Sequence, residues 1–528
     1  MPDSQPTSET DPGECAINRQ VAVIDIGATS VRMAIGEISP SGEVRELEAL
    51  VQPVSLGMES FVTGKIDRRT TERCISALKT YRAKLREYHI GGEQVRVVAT
   101  SAVREARNRL EFLDRIYTQT GFNIEPFDEA EVHRVTYLGV LGVLQKHPEL
   151  ADGLTCVIEI GGGSTESLVL EGRDVLFART FRLGALRLRR TLDMYRTPTA
   201  KVREIMETQI DQLVSAIRKE IGNRSIDRLL VMGGDVRLAI SVLNRNGKDT
   251  DLSSLNLAVL ETFVDDIWSR SPDELISLYR LSIADAESLG PALLAYANIA
   301  RELKQSNLLV ANSNLRDGLM KEMALAGNWS EAIRDQIVRS ANAIGIKYQV
   351  DMAHARHVAH LSAQLFDSLG SELRLGQTRK LILNVAALLH EIGLFVSHRG
   401  YHKHSMYLIR NSVFFGLGSR NLNLAALVAR YHRRASPQPT HQEYSGLNRR
   451  DRVSVAKLAG ILRVAKALDA SRQQRIHDFK VERTGRHLVI TVPNVTDIAM
   501  EQLELRQTAG LFEDVFGLKV VLRSSNNR

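Results

Sequence analysis

Two segments of the sequence place carboxylates, small residues and hydroxyls between apolar runs. The first, VAVIDIGATSVRMAIGEI, supplies Asp25, Gly27, Thr29 and Ser30. The second, TCVIEIGGGSTESLVLEG, supplies Glu159, Gly161, Gly162, Gly163, Ser164, Thr165 and Glu166. Glycine lets backbone N–H groups converge on an anion without a Cβ in the way, and the hydroxyls add further donors. Each segment therefore predicts a phosphate-binding turn between two strands.

The carboxylates beside these turns repel phosphate, so they need a cation or a water between. Mg²⁺ takes carboxylate oxygens, phosphate oxygens and waters as ligands. We therefore expect Asp25, Glu159 and Glu166 to hold Mg²⁺ and the two glutamates to position water. Taken alone, the GGG turn could also be a tight hairpin with exposed acids. Two hairpins of one pattern favour a duplicated fold whose turns face a single cleft.

The segment VVATSAVREARN predicts a third contact with an anion. A strand runs into Thr100 and Ser101, and Arg104 follows in the first turn of a helix. Backbone N–H groups at a helix N-terminus and a guanidinium both bind anions. The alternative is an ordinary hydroxyl cap beside a solvated arginine.

Length and composition limit the class of protein. A chain of 528 residues is too long for one hydrophobic core, so two to four domains are expected. The net charge of +7 favours an anionic partner. The three cysteines are far apart in sequence, which fits a reducing compartment. Because no apolar run is long enough to span a bilayer and the polar start has no signal core, we expect a cytoplasmic protein.

The segments described above together resemble the exopolyphosphatase and guanosine pentaphosphate phosphohydrolase family of the sugar kinase/Hsp70/actin superfamily. The resemblance extends over nearly all of the chain and rests on VIDIGATSVRMAI, VVATSAVREARN, RVTYLGV, VIEIGGGSTE, LGALRL, VMGGD and NLRDGLM. It implies an α/β fold of duplicated ribonuclease H-like (actin-like ATPase) domains, then an all-helical HD-like domain and a small α+β tail. The expected divisions are a disordered tail (1–19), two actin-like domains (20–145 and 146–325), the HD-like domain (326–475) and the α+β domain (476–528).

The resemblance also implies Mg²⁺-dependent hydrolysis of a terminal phosphoanhydride. We expect an exopolyphosphatase that releases phosphate from inorganic polyphosphate. Guanosine pentaphosphate is the alternative substrate, and a non-catalytic binder of polyphosphate or an alarmone is the alternative class. By resemblance, Arg104 lies beside the first phosphate loop, and Gly233 and Gly234 form a further glycine pair facing the cleft. A homodimer is implied, whereas neither a membrane nor a nucleic acid is expected as a partner.

The chain departs from the family pattern at the general base. An ungapped alignment puts Val132 at the position of the family glutamate, with Glu131 one residue earlier. Valine cannot accept a proton, so Glu131 replaces the base, Glu166 takes its role, or hydrolysis is weak. Asp128 and Glu131 also have the spacing of a capping box, which predicts a structural role for Glu131. Three further departures are Glu159 in place of Asp, Asp235 in place of Thr, and Asp285 near the position of a family arginine.

The predicted helical segment resembles an HD phosphohydrolase domain in the order of HARHVAHLSAQLF, AALLHEIG, YHKHSMYLI, ARYHRRA and RVAKALDASR. The resemblance implies four metal ligands, His354, His390, Glu391 and Asp469. Such a set suits a metal-activated water. The usual His-Asp pair is His390–Glu391 here, so the domain is either a scaffold without metal or a second metal site.

Overall fold

The computed structural model describes residues 18–194, 199–243, 250–325, 329–493, 495 and 497–525. The predicted disordered tail, residues 1–19, lies almost entirely outside the described residues. The chain divides into two compact units, the first formed by residues 1–127 and 135–327 and the second by residues 128–134 and 328–528. The domain boundaries given above stay predictions.

The first unit contains two β-sheets and the helices that cover them. Its strands are β1 (Arg19–Ile26), β2 (Ser30–Ile38), β3 (Val44–Pro53), β4 (Val95–Ala99), β5 (Ile124–Pro126), β6 (Leu154–Ile160), β7 (Thr165–Glu171), β8 (Asp174–Phe181), β9 (Arg228–Met232), β10 (Leu252–Asn256) and β11 (Asn307–Ala311). The helices from α1 to α12 are α1 (Gly57–Thr63), α2 (Arg68–Glu87), α3 (Ser101–Arg104), α4 (Arg109–Thr120), α5 (Glu129–Lys146), α6 (Ala185–Met194), α7 (Thr199–Ile221), α8 (Gly234–Leu243), α9 (Leu257–Ser269), α10 (Pro272–Tyr279), α11 (Ile283–Glu302) and α12 (Leu315–Ala324). The first residues of α5 belong to the second unit.

The two sheets repeat one topology. Their strand orders are β3-β2-β1-β4-β5 and β10-β11-β9-β6-β7-β8. In each sheet an antiparallel meander of three strands (β1 to β3, and β6 to β8) continues through its first strand into parallel neighbours. Strand β10 is an addition that pairs antiparallel with β11. The predicted duplicated α/β fold is confirmed.

The central strands are buried almost throughout, which explains their continuous apolar sequences. Strand β1 is buried from its third residue onward, and β6 is buried at six of seven positions. Strands covered on both faces need apolar residues at successive positions rather than alternate ones. Helices α2 and α4 pack on the first sheet through residues such as Leu78 and Ile116, and α7 and α11 pack on the second through residues such as Leu213 and Leu293.

The second unit is mainly helical in its described part. Its helices are α13 (Glu331–Lys347), α14 (Met352–Leu373), α15 (Gln377–Leu389), α16 (Tyr401–Arg410), α17 (Ser419–Arg430), α18 (Gln442–Ser445), α19 (Arg449–Ala467), α20 (Ala499–Thr508) and α21 (Gly510–Phe516). A sheet of order β12-β13-β14 comprises β12 (Lys480–Thr484), β13 (His487–Val492) and β14 (Lys519–Ser524). None of the described helices of either unit is both long and apolar enough to cross a membrane.

Candidate active site

Two hairpins of the first unit place charged residues at matching positions. In the first hairpin, Asp25 on β1 lies opposite Arg32 on β2. In the second hairpin, Glu159 on β6 lies opposite Glu166 on β7. Because side chains directly opposite each other on paired strands share one face, each acid has its charged neighbour beside it. The repeat thus pairs an acid with a cation in one hairpin and an acid with an acid in the other.

In the turn of the second hairpin, between β6 and β7, the backbone carbonyl groups accept hydrogen bonds, whereas two N–H groups donate none to any described residue. Gly161 O accepts a hydrogen bond from Ala185 N at 3.0 Å. Gly162 O accepts from Arg187 N at 2.9 Å, and Gly163 O accepts from Arg187 Nε at 2.7 Å. Within the described residues, the N–H groups of Gly162 and Gly163 have no acceptor. The LGALRL segment at the start of α6 therefore fixes this turn with its donors uncommitted.

The first turn has the same arrangement. Ala28 O accepts from Gly57 N at 2.8 Å, and Thr29 O accepts from Val54 N at 3.1 Å. No described residue accepts a hydrogen bond from the N–H group of Ala28 or Thr29. Both turns thus expose backbone donors, which is the chemistry that anion binding requires.

The structure brings the two turns into contact. A Cβ on Gly162 would lie 3.1 Å from Ala28 Cβ and 3.5 Å from Thr29 Cγ2. A Cβ on Gly163 would collide with Ser101 Oγ, at the start of α3. Gly162 and Gly163 therefore allow the second turn to lie close to the first turn and to the start of α3. The three segments predicted to bind phosphate are neighbours in the structure.

Asp25 is a buried acid with an unsatisfied oxygen. Its Oδ2 atom is 3.9 Å from Arg32 Nη1, while its Oδ1 atom has no hydrogen-bond partner among the residues that the structure describes. Burial raises the pKa of Asp25, and the charges of Arg32 and Arg316 oppose that rise. A buried carboxylate oxygen without a donor is a candidate ligand for a cation.

Glu159 has a strongly raised pKa. Burial, and next the charge of Glu166, raise the pKa of Glu159 to about 7. Thr136 Oγ1 donates a hydrogen bond to Glu159 Oε2 at 3.3 Å. Glu166 itself accepts from Ser164 Oγ at 3.0 Å and from the Thr180 hydroxyl. Glu159 can therefore gain or lose a proton near neutral pH, whereas two hydroxyls hold the carboxylate of Glu166 in place.

The three acids fit the Mg²⁺ that the resemblance implies. Asp25 supplies an orphaned oxygen, and Glu159 and Glu166 are like charges that a cation would stabilise. Among the described residues, these acids do not form a set of ligand atoms all within 4.8 Å of one another. Mg²⁺ usually keeps several water and substrate oxygens among its ligands, so one or two carboxylates from the protein are enough to bind it.

Gly233 and Gly234 lie at the start of α8, beside the second hairpin. Gly233 has φ +137°, and a Cβ there would lie 2.7 Å from Tyr296 Oη and 3.4 Å from Ile160 O. Burial, and next the charge of Asp285, raise the pKa of Asp235 to about 7. The departure from the family threonine therefore adds an acid that titrates near neutral pH.

Arg104 ends helix α3, and its Nη1 atom donates to Phe127 O at 3.1 Å. This bond ties the arginine to the end of β5. A guanidinium has five N–H donors, so one such bond leaves capacity for a phosphate. The phosphate-binding role of Arg104 stays a prediction.

The capping box at the start of α5 is present. Glu131 N donates to Asp128 Oδ1 at 2.9 Å, and Asp128 N donates to Glu131 Oε2 at 3.0 Å. The other oxygen of Asp128 accepts from the backbone and hydroxyl of Ser419. Val132 is buried. Glu131 therefore has a structural role in the second unit, and its role as a base stays a prediction.

The predicted metal ligands of the second unit are close neighbours. Ligand atoms of His354, His390 and Glu391 all lie within 4.8 Å of one another. Asp469 is not part of this group, and its Oδ2 atom is hydrogen-bonded to His354 Nδ1 at 2.7 Å. Three of the four predicted ligands thus lie close together, the fourth is hydrogen-bonded to one of them, and metal binding by the set stays a prediction.

Sequence reasoning did not identify three arginines near the acids. Arg32 and Arg316 act on the pKa of Asp25, and the charge of Arg237 lowers the pKa of Glu159 against the larger effect of burial. Arg32 could have been found from the hairpin register, because it stands directly across from Asp25. Arg237 and Arg316 could not, since they reach the site from distant helices.

Comparisons with known proteins agree with the fold. The model of the Ppx/GppA phosphatase family matches residues 35–326. The model of Ppx/GppA phosphatase, domain III, matches residues 333–508. The guanosine-5'-triphosphate,3'-diphosphate pyrophosphatase of Vibrio atlanticus is 24% identical over 89% of this chain and 91% of its own. The protein of the same name from Photobacterium profundum is 23% identical over 96% and 98%. The structure of an exopolyphosphatase from Cytophaga hutchinsonii has a TM-score of 0.53 at 20% identity, covering 58% of this chain and 98% of that one.

Proposed function

Because the chain belongs to the Ppx/GppA phosphatase family, we propose that it hydrolyses the terminal phosphoanhydride bond of inorganic polyphosphate. The observation that carries this proposal is the pair of touching turns with uncommitted N–H groups. Converging backbone donors bind a phosphate group without regard to what is attached behind it. A substrate that ends in a phosphate and carries many negative charges also suits the net charge of +7.

The acids of the two hairpins would have two roles in hydrolysis, metal binding and positioning of the attacking water. Mg²⁺ held by Asp25, Glu159 and Glu166 would neutralise charge on the phosphate oxygens and orient them. Glu159 and Glu166 would position the attacking water, and its proton would pass to Glu131 or Glu166, the two candidates for the base that remain with valine at position 132. The water oxygen forms a bond to the terminal phosphorus, the bridging P–O bond breaks, and the shortened chain leaves with the bridging oxygen. Arg104 would stabilise the charge on the terminal phosphate.

Guanosine pentaphosphate is the second candidate substrate. The curated relatives named above favour it, because both carry the name of a guanosine pentaphosphate hydrolase. It presents a terminal phosphate to the same turns, so the observation that supports polyphosphate supports it equally. A binder without turnover is a third candidate, which the valine at position 132 favours.

Phosphate release in the presence of Mg²⁺ separates the three candidates. We expect release from long-chain polyphosphate at a higher kcat/KM than from guanosine pentaphosphate. Glu166→Gln should abolish release, whereas Glu171→Gln, at the exposed end of the same strand, should leave it unchanged. The reverse preference would select the alternative substrate. Salt-sensitive binding of polyphosphate with no release from either substrate would contradict the enzymatic proposal.

A further inference from the structure

Arg187 on α6 is a partly buried arginine that contacts the second turn (residues 161–164) and has no role in the hydrolysis described above. Its side chain is 14% exposed. The backbone N–H of Arg187 donates to Gly162 O at 2.9 Å, and its Nε atom donates to Gly163 O at 2.7 Å. The carbonyl of Gly162 and the N–H of Gly163 belong to one planar peptide unit. By holding that carbonyl, Arg187 fixes the direction of an N–H group that we expect to bind phosphate.

The far end of the same guanidinium contacts the helix that carries Arg104. Arg187 Nη2 donates to Glu105 Oε1 at 2.8 Å, and Glu105 directly follows Arg104 at the end of α3. Burial lowers the pKa of Arg187, the charge of Glu105 opposes that effect, and the charges of Arg182 and Arg104 add to it. One guanidinium thus joins the second turn to the segment that supplies the arginine predicted to bind phosphate.

Packing holds Arg187 in this position. Its Cζ atom lies 4.2 Å from the centroid of the Phe61 ring on α1, a distance at which a cation and an aromatic ring attract each other. The two neighbours of Arg187 on α6 are buried in different cores. Leu186 packs with the residues of the first sheet, and Leu188 packs with those of the second. The start of α6 is therefore anchored to both halves of the first unit.

Glu105 has a second arginine partner, which provides a comparison. Arg182 Nη2 also pairs with Glu105, but the side chain of Arg182 is 73% exposed. In the described part of the chain, no hydrogen bond joins Arg182 to the second turn. An exposed ion pair contributes little to stability. The two arginines therefore share one carboxylate, and only Arg187 connects that carboxylate to the turn.

We propose that Arg187 is a positioning residue of the phosphate site, whose guanidinium holds the second turn and α3 in the arrangement in which they bind one terminal phosphate. This inference rests on the proposed function. Arg187 acts through Gly163 and Glu105 and not through contact with the substrate. Because both candidate substrates end in a phosphate, loss of Arg187 lowers the hydrolysis of either one by the same factor.

Arg187→Met tests this role, because methionine keeps an apolar side chain beside Phe61 but has no N–H donors. We expect kcat/KM for phosphate release to fall about 10–100-fold, since a displacement of about 1 Å in a catalytic site has an effect of up to that size. Arg187→Lys, which restores the charge and one donor group, should recover part of the loss. Arg182→Met should leave kcat/KM unchanged. Thermal unfolding of each variant shows that it is folded.

A double-mutant cycle distinguishes positioning from a general loss of stability. Glu105→Gln leaves the bonds between Arg187 and the turn in place, so kcat/KM should fall less, by about fivefold. If the two residues act together, the double variant should be no slower than Arg187→Met alone. Effects that multiply in the double variant would contradict the inference. If Arg187→Met does not fold, an unchanged kcat/KM in Glu105→Gln would contradict it equally.

A binding measurement separates this inference from the proposed function. In the Glu166→Gln background with Mg²⁺, the affinity for tripolyphosphate is measured by calorimetry. Adding Arg187→Met should weaken the affinity about tenfold, whereas adding Arg182→Met should not change it. If the wild-type chain releases no phosphate but this difference in affinity persists, the proposed hydrolysis is wrong and the positioning role stands. Equal affinity and equal kcat/KM with and without Arg187→Met in folded chains would overturn the inference, as would absence of tripolyphosphate binding by all of these variants.

Discussion

Because the pKa of Glu159 is raised in the folded protein, the free energy of unfolding should depend on pH near neutrality. The pKa rises from 4.5 to about 7 because of burial and the charge of Glu166. The folded protein therefore binds this proton more tightly than the unfolded chain does. The resulting stability is present below the unfolded pKa and is lost as the pH rises through about 7. Full ionisation of Glu159 costs about 3 kcal/mol, and lowering the pH from about 8 to about 5.5 recovers about 2 kcal/mol.

Glu159→Gln removes this cost at high pH. Without divalent cations, we expect the variant to exceed the wild type in free energy of unfolding at about pH 8. This advantage should shrink by about 2 kcal/mol at about pH 5.5. Excess Mg²⁺ at the higher pH should also narrow the difference, because the cation stabilises the ionised form. Glu43→Gln, which changes an exposed glutamate in the turn after β2, should show no such pH dependence.

The assay must report on the first unit alone. The chain has two tryptophans, Trp268 on α9 in the first unit and Trp329 in the second. In a Trp329→Phe background, the fluorescence of Trp268 follows urea unfolding of the first unit. A stability difference that stays constant between the two pH values would refute the reasoning, since it would mean that folding does not perturb Glu159.

Three further substitutions test other parts of the account. Arg104→Ala should raise the substrate concentration for half-maximal rate about tenfold, because a charge-assisted hydrogen bond is lost. Arg115→Ala on α4 is the control. Unchanged kinetics of the Arg104→Ala variant would show that Arg104 is not part of the site. Asp128→Ala should lower the stability of the second unit by about 1 kcal/mol through loss of the capping box, measured by the fluorescence of Trp329 in a Trp268→Phe background; an effect no larger than that of Glu129→Ala would contradict it. Val132→Glu should raise kcat by restoring a carboxylate at the base position, with Val132→Gln as the uncharged control; no increase would point to Glu131 or another group as the base.

Local sequence patterns predicted the parts of the site that lie within single hairpins. Acid, glycine and hydroxyl recur in the same order around Asp25 and Glu159, and the structure gives both segments the same strand–turn–strand geometry. The spacing of Asp128 and Glu131 likewise predicted the capping box. Such features depend on neighbours in sequence, so they can be predicted from one chain.

Features that depend on distant segments were not predicted. Arg316 approaches Asp25 from α12, nearly three hundred residues later in the chain. The position of Asp469 beside His354 Nδ1 likewise depends on the packing of helices far apart in sequence. Resemblance implied that Asp469 is a metal ligand, whereas its hydrogen bond to His354 Nδ1 could be found only from the fold.

The central claim is that the two hairpin turns bind one terminal phosphate together. A crystal structure of the Glu166→Gln variant with Mg²⁺ and a short polyphosphate tests it most directly. We expect the terminal phosphate to accept hydrogen bonds from the N–H groups of Thr29 and Gly162 at the same time. A polyphosphate end bound elsewhere on the chain, or held by one turn alone, would contradict the account.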